Sequence, residues 1–475
     1  RVQTMDDLAV SGELHGHSHP DIEADATAAL PNLPPDVWDT RDALRHIRAA
    51  AHARNRSADA VLGAVLARVS ALIPAGTILD TGVGSPATLN FYSALAGPSG
   101  AGKSTAVGIA RELVPVPRQI PDDGHDPFAD DTPLGSGEGV AEAFMGTVER
   151  DVIDKRSGKT KTRTERCQVR HNAFIFADEG EALTRMLERG GATIGETLRR
   201  GWTGETLGQR NGSDERTRVV PRGSYSLGLV IGFQPATIGP LLADEAAGTP
   251  QRFTYWAATD PSIPEQPPTW PGPLPLKLPP LDLEDSLSDE VVTVAMHVDL
   301  DPAVAAEIRQ RDYARATAAE QASPLDAHEP LTRLKLALLL ALLDDRQVLS
   351  VEDWALSARL WAASCAVRDQ LVAHQTGLAM QKQQARTQAR VAEHRVLDDD
   401  ATSRARAAAV MAAARRVHRH AATHPEGTCP RSCLNLAIAG RYRDLVGITE
   451  VVDGCVDAGY IVTEGDRFRP RGGTP

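Results

Sequence analysis

The sequence predicts an α/β fold organised around a phosphate-binding loop, and three stretches predict it. The first is "NFYSALAGPSGAGKSTAVGIARELV", residues 90–114, where an apolar run passes directly into a helix-spaced pattern. The second, "HNAFIFADEGEAL", is an apolar strand that ends in paired carboxylates. The third, "YSLGLVIGF", is an apolar strand that ends at Gln234.

In the first stretch, Asn90 to Ala96 reads as a buried strand, and Thr105 to Val114 shows helical spacing through Val107, Ala110 and Leu113. Between them Gly97, Pro98, Ser99, Gly100, Ala101, Gly102, Lys103 and Ser104 satisfy G-x-x-x-x-G-K-[ST] in a strand-to-helix setting. Glycines let such a loop curl so that its N–H groups face phosphate oxygens at a helix N-terminus. Lys103 is expected to reach the β- and γ-phosphates of ATP, and the Ser104 hydroxyl, followed by Thr105, to hold Mg²⁺.

The second strand supplies Asp178, expected to hold Mg²⁺ through water, and Glu179, placed to polarise an attacking water. Glu138 in "LGSGEGV" is a second candidate for the catalytic base. Gln234 reads either as a sensor of the γ-phosphate or as a solvated strand end. In "GTPQRFTYW", Arg252 suits a finger directed into a neighbouring subunit's site, with Arg199, Arg200 and Arg210 competing for that role.

Composition bounds the partners. The chain has 475 residues, 51 Lys and Arg against 63 Asp and Glu, and a net charge of −12. That charge argues against a generic nucleic-acid coat, so any DNA contact must be local. Five cysteines form no disulfide framework, which fits reduced thiols and a cytoplasmic setting. The best apolar run, Leu336 to Leu343, reads as an amphipathic helix interior rather than a membrane span. The first residue is Arg1, as in a fragment preceded by a further domain.

Along the chain, residues 1–33 are acidic and aperiodic and read as a disordered leader containing His15, His17 and His19. Residues 34–87 carry two amphipathic helices, Asp36 to Arg54 and Ala58 to Ile73, read as an N-terminal helical element. The ATPase core is placed at 88–260, a proline-rich connector at 261–281, a helical lid at 282–375 and a linker helix at 376–402. Residues 403–475 read helix, short helix (Arg431 to Ala439), helix (Ile448 to Ala458) and hairpin, which is winged-helix order.

Taken in order, "SPATLNFYSALAGPSGAGKS", "PLGSGEG", "FIFADEGEAL", "LRRGWTGETLGQ", "IGFQP", "GTPQRF" and "RLKLALLLALLDDRQVLSVEDWALSARL" resemble a family of P-loop ATPases from actinobacterial phages, plasmids and integrative elements. Its members are often described as helicase- or primase-polymerase-associated. The Arg252–Phe253 pair is also similar to the arginine-finger motif of ring-forming minichromosome-maintenance helicases. The resemblance implies an oligomeric ATPase that acts on DNA during replication of a mobile element, in some cases beside a primase-polymerase.

Two segments are candidates to meet DNA. "DKRSGKTKTRTERCQVR" carries Lys155, Arg156, Lys159, Lys161 and Arg163 on a two-stranded ribbon that could track phosphates, or simply lie solvated against an acidic neighbour. In the terminal module the presumed recognition helix is acidic, so Arg467 and Arg469 on the wing are better placed, and docking to protein is equally compatible. His420, His424, Cys429 and Cys433 could supply four zinc ligands, although the short loop makes tetrahedral closure difficult. The combined expectation is a RecA/AAA+-like P-loop NTPase core with N-terminal helices, a helical lid and a C-terminal winged helix. It forms a homo-oligomeric ring, hydrolyses ATP with Mg²⁺, and moves on single-stranded or forked DNA. Its rivals are an ATP-dependent DNA-binding switch or initiator and a small-molecule phosphotransferase.

Overall fold

Along the apolar strands, side chains alternate between two separate hydrophobic clusters, which makes the main sheet the middle layer of three. The computed structural model describes residues 29–116, 126–153, 160–188, 193–210, 217–278, 296–317, 323–432 and 446–472. The chain divides into two units, Arg1–Gly377 and Leu378–Pro475.

In the first unit two helices lead, α1 (Asp42–Ala53) and α2 (Ala58–Ala71), followed by the short strand β1 (Ile78–Leu79). Next come β2 (Phe91–Ala96), α3 (Lys103–Leu113), β3 (Phe128–Thr132) and α4 (Gly137–Glu142). A hairpin of β4 (Met145–Ile153) and β5 (Thr160–Gln168) precedes β6 (Asn172–Ala177), α5 (Gly180–Leu187) and α6 (Ile194–Thr203). The small pair β7 (Leu207–Gln209) and β8 (Arg218–Val220) leads into β9 (Ser226–Phe233), α7 (Gly239–Ala243) and β10 (Phe253–Ala257). After β11 (His297–Val298), which pairs with β1, three helices follow: α8 (Pro302–Ala316), α9 (Glu329–Leu343) and α10 (Val351–Thr423).

The main sheet has the order β10-β2-β9-β6-β3, and every pairing is parallel. The inner strands β2, β6 and β9 are largely buried and read as continuous apolar runs, as parallel strands do, whereas the edge strand β3 exposes Asp130. In β2, Phe91 and Leu95 enter one cluster while Tyr92, Ala94 and Ala96 enter the other. On the first face lie α1, α2, α3, α8 and α9; on the second lie α4 to α7.

The helix α2 sits at the centre of the first face, and all of its residues are buried. It starts at Ser57, whose hydroxyl accepts from the Ala60 N–H at 3.3 Å. Its closeness to the sheet depends on two missing side chains. A Cβ on Gly228 of β9 would collide with the Ala67 carbonyl, and one on Gly63 of α2 would lie 2.6 Å from Trp256 Nε1. The helices assigned by sequence to a separate N-terminal element therefore belong to the sheet's own core.

The proposed lid is likewise continuous with that core. From Thr332 to Leu343, α9 is buried, and its Leu336, Leu338 and Leu340 join the cluster built by α2. Residues 29–33, grouped by sequence with the leader, are ordered against the core instead. Leu30 and Leu33 are buried, Asn32 donates to the Thr259 carbonyl at 2.9 Å, and Leu33 N–H donates to Asp59 at 2.8 Å. The histidines at 15, 17 and 19 lie outside the described residues. The proline-rich segment, described over 261–278, is irregular and held against the core: Leu274 N–H donates to the Leu113 carbonyl at 2.8 Å, and Trp270 stacks under Arg54.

The second unit contains the end of α10, the strand β12 (Cys429–Pro430), the helix α11 (Ile448–Asp457), and the strands β13 (Ile461–Glu464) and β14 (Arg467–Pro470). The three strands form an antiparallel sheet in the order β12-β14-β13. Ala413, Val417, Cys429, Val451, Cys455, Ile461 and Phe468 are among the residues of its core. From 379 to 404, α10 is exposed on every side. Among the described residues, no helix is long and apolar enough to cross a membrane.

Candidate active site at the carboxyl edge of the sheet

Because the sheet is parallel, β2, β6 and β9 deliver their carboxyl ends to one edge. The glycine-rich loop leaves β2 there. Its first residue, Gly97, donates its N–H to the Phe233 carbonyl at the end of β9 (3.1 Å). Gly100 and Gly102 have φ of 78° and 82°, a left-handed backbone that side-chain-bearing residues rarely adopt. With Gly102 as its N-cap, α3 begins at Lys103. Pro98, Ser99 and Gly100 are exposed, as are Ser104 and Thr105 in the first turn of α3, while Ala101 is half-buried.

Lys103 folds back over the loop, and its Nζ donates to the Gly97 carbonyl (3.0 Å) and the Pro98 carbonyl (2.9 Å). Burial lowers its pKa from the ordinary lysine value, and the charge of Asp178 pulls the other way. Asp178 follows the end of β6, so the two expected partners of a phosphate–magnesium pair share one edge. The neighbouring strand makes room for them: a Cβ on Gly232 would lie 2.6 Å from the Asp178 carbonyl oxygen and 3.4 Å from Lys103 Cδ.

Glu179 is the N-cap of α5 and is exposed, as is Gln234, the residue after β9. The structure thus brings Gly97–Thr105, Asp178, Glu179 and Gln234 to one edge. Glu138 lies apart from this group, on α4, where Arg218 (3.2 Å) and Gln209 (3.3 Å) donate to its carboxylate. Arg218 also joins it to Glu142, which in turn pairs with Arg166.

Arg252 occupies the opposite end of the sheet. It precedes Phe253, which pairs with Tyr92 near the start of β2, whereas the loop follows Ala96. Five residues of strand separate the two ends, roughly 16 Å at the usual rise. The Arg252 guanidinium is half-buried, donates to the Gly248 carbonyl, and lies 5.7 Å from the centre of the Trp202 ring. Burial, with Arg199 nearby, lowers its pKa to about 10. The competing arginines are committed to acids, Arg199 to Asp244 (3.3 Å) and Arg200 to Glu196 (2.9 Å), while Arg210 is exposed.

One side chain at the loop escaped sequence reasoning. Arg56, in the turn between α1 and α2, lies against Gly102, where a built Cβ would come within 2.9 Å of its Cζ. No local pattern ties this turn to the loop; only the tertiary packing of α2 brings them together.

The basic ribbon forms as the antiparallel pair β4–β5, with Lys161 opposite Val152 and Arg163 opposite Arg150. Lys155, Arg156 and Lys159 lie outside the described residues. In the second unit Arg467 pairs with Glu426 (3.1 Å) and Arg469 with Glu464 (3.2 Å), so both cations that the sequence offered for DNA already have acidic partners. Cys433 also lies outside the described residues, while Cys429 is buried in the core of its unit. The scan against protein-family models and the search of curated proteins each found no match.

Proposed function

We propose that the chain is a P-loop ATPase of RecA/AAA+ type, and that it works as an oligomeric motor on DNA. The observation that carries this reading is the convergence of the glycine loop, Lys103, Asp178, Glu179 and Gln234 on the carboxyl edge of one parallel sheet. That edge is where open α/β sheets bind ligands. The residues fit a nucleoside triphosphate: a cradle without Cβ atoms at Gly100 and Gly102, a lysine facing the loop's own carbonyls, and exposed hydroxyls at the start of α3. In this assignment Lys103 exchanges its two carbonyl partners for phosphate oxygens, and Ser104 and Asp178 hold Mg²⁺, which neutralises charge on the phosphates. Glu179 orients the water, and Gln234 contacts the terminal phosphate.

Two further observations favour a motor over a small-molecule phosphotransferase. Adjacent acids at the end of β6 suit activation of water. Arg252 stands too far from its own loop to act within one subunit, so any role as a finger is exercised on a neighbour. The resemblance to mobile-element ATPases and the basic β4–β5 ribbon favour DNA as the track.

Lys103→Ala is expected to abolish binding of Mg-ATP, whereas Glu179→Gln keeps binding and loses turnover by at least about 100-fold, as groups acting on phosphate and on water should. Calorimetry and phosphate release separate the two, and strand displacement on a forked duplex reports the motor. Normal turnover in Glu179→Gln would move the base elsewhere. ATP turnover with DNA binding but no displacement would instead favour a nucleotide-dependent switch.

A further inference from the structure

We propose that Arg56 is a second cation of the phosphate site, supplied from outside the loop motif, and that it binds the phosphates of a nucleoside di- or triphosphate. The inference rests on the assignment of the loop to a nucleotide. Its basis is a juxtaposition: the guanidinium of Arg56 lies against Gly102, the residue that opens α3 and directly precedes Lys103.

The turn that carries Arg56 is fixed from several sides. Asn55 takes a left-handed conformation with φ of 53°, and Arg56 N–H donates to the Ala51 carbonyl at 3.0 Å. Ser57 Oγ donates to the Ala257 carbonyl at 2.6 Å, at the carboxyl end of β10. Ala58 N–H (3.2 Å) and His52 Nε2 (3.0 Å) both meet the Asp260 carboxylate just beyond. From there the path to the loop is short, since Ala258 N–H donates to the Ala96 carbonyl at 2.7 Å and a Cβ on Gly97 would lie 2.8 Å from the Ala258 Cβ.

The backbone is held firmly, yet the charge it presents is left uncompensated. Among the described residues Arg56 forms no ion pair; its Nη1 donates only to the adjacent Asn55 carbonyl (2.7 Å), and its Nε is buried without a hydrogen-bond partner. The neighbouring Arg54, by contrast, pairs with Glu112 at 2.9 Å. A guanidinium with an unmet donor, set against the N-cap residue of α3 and so at the positive end of that helix, is matched by an anion with several oxygens. Phosphate accepts from a guanidinium in a two-pronged geometry that an ammonium cannot reproduce. The fixed turn also means that little ordering is required when the ligand arrives.

The test is calorimetric binding of Mg-ATP and Mg-ADP to the full chain as wild type, Arg56→Gln, Arg56→Lys and Lys103→Ala, over a range of salt. Arg56→Gln keeps the aliphatic stem as far as Cδ and a polar end, and removes the guanidinium and its charge. It should weaken both nucleotides by about 10- to 100-fold, the usual range for a charge-assisted hydrogen bond. The slope of log Kd against log salt should flatten in the same variant. Arg56→Lys should recover part of the affinity and most of the slope, which a purely packing role would not produce. Unchanged affinity and slope in Arg56→Gln, with binding lost in Lys103→Ala, would overturn the role of Arg56 and leave the site intact. Wild-type binding by Lys103→Ala would overturn the site assignment itself.

Discussion

Asp59 carries a side chain at odds with its surroundings. It lies in the first turn of the fully buried α2, and burial raises its carboxyl pKa to about 7, although Leu33 N–H and the Asn32 amide donate to it and oppose the shift. The nearby Asp260 adds to the rise. A carboxyl raised on folding binds its proton more tightly in the native than in the unfolded state, so its contribution to stability is full below pH 4 and declines as pH rises toward 7. The full decline is on the order of 4 kcal/mol. Asp59→Asn, which keeps an acceptor for Leu33 N–H, should flatten the fall in melting temperature between pH 5 and 8. An unchanged pH profile in that variant would assign the effect to another group. At this scale the loop residues were legible because their motif is contiguous, whereas Asp59, Arg56 and the Glu138–Arg218 pair were not. Their properties come from partners distant in sequence.

Among the elements, the apolar strands and their order along the chain could be read directly, since each is a short uninterrupted run bounded by turns or polar residues. What could not be read is which helix covers them. Read from sequence as amphipathic, α2 is instead buried on all sides, as suits a helix surrounded by protein, and its company is set by the glycines that let it approach β9 and β10. Gly228→Ala should therefore act as overpacking, because its new methyl meets the Ala67 backbone rather than a movable side chain. The expected loss is about 2–4 kcal/mol, read as a lower denaturation midpoint with the denaturant slope unchanged. Gly223→Ala tests only backbone conformation, since a Cβ there meets nothing within 4 Å although φ is 72°. Gly228 itself has no positive φ, so an unchanged midpoint in Gly228→Ala would show that α2 yields to the added methyl at little cost.

For the whole molecule, the sequence divides the chain by composition and the structure divides it by packing. Proline content sets 261–281 apart, yet residues on both sides of that segment enter one cluster, so the first unit runs to Gly377. The exposed span of α10 is where composition and packing come nearest to agreement: residues 379–404 are polar and surrounded by solvent, close to the linker helix expected at 376–402. Lys335 illustrates the integration. It rises from α9 to donate to the Asn90 carbonyl (2.8 Å) and the Trp202 carbonyl (2.6 Å), and its ammonium lies 3.7 Å from the centre of the Trp202 ring. A helix assigned to a lid thereby holds the strand that leads into the glycine-rich loop.

The enclosure of α2 has a consequence for isotope exchange. Its amide hydrogens have no route to solvent short of opening the sheet–helix core, so they should be among the last in the chain to be replaced by deuterium. Their exchange would then track global opening, and any ligand that binds only the folded state would slow it. With nucleotide at about 100 times its Kd, the slowing should approach a hundredfold. A deuteration time course on peptides from α2 would therefore report whether nucleotide binds the folded chain. Equal rates with and without nucleotide would show that α2 opens independently of the glycine-rich loop.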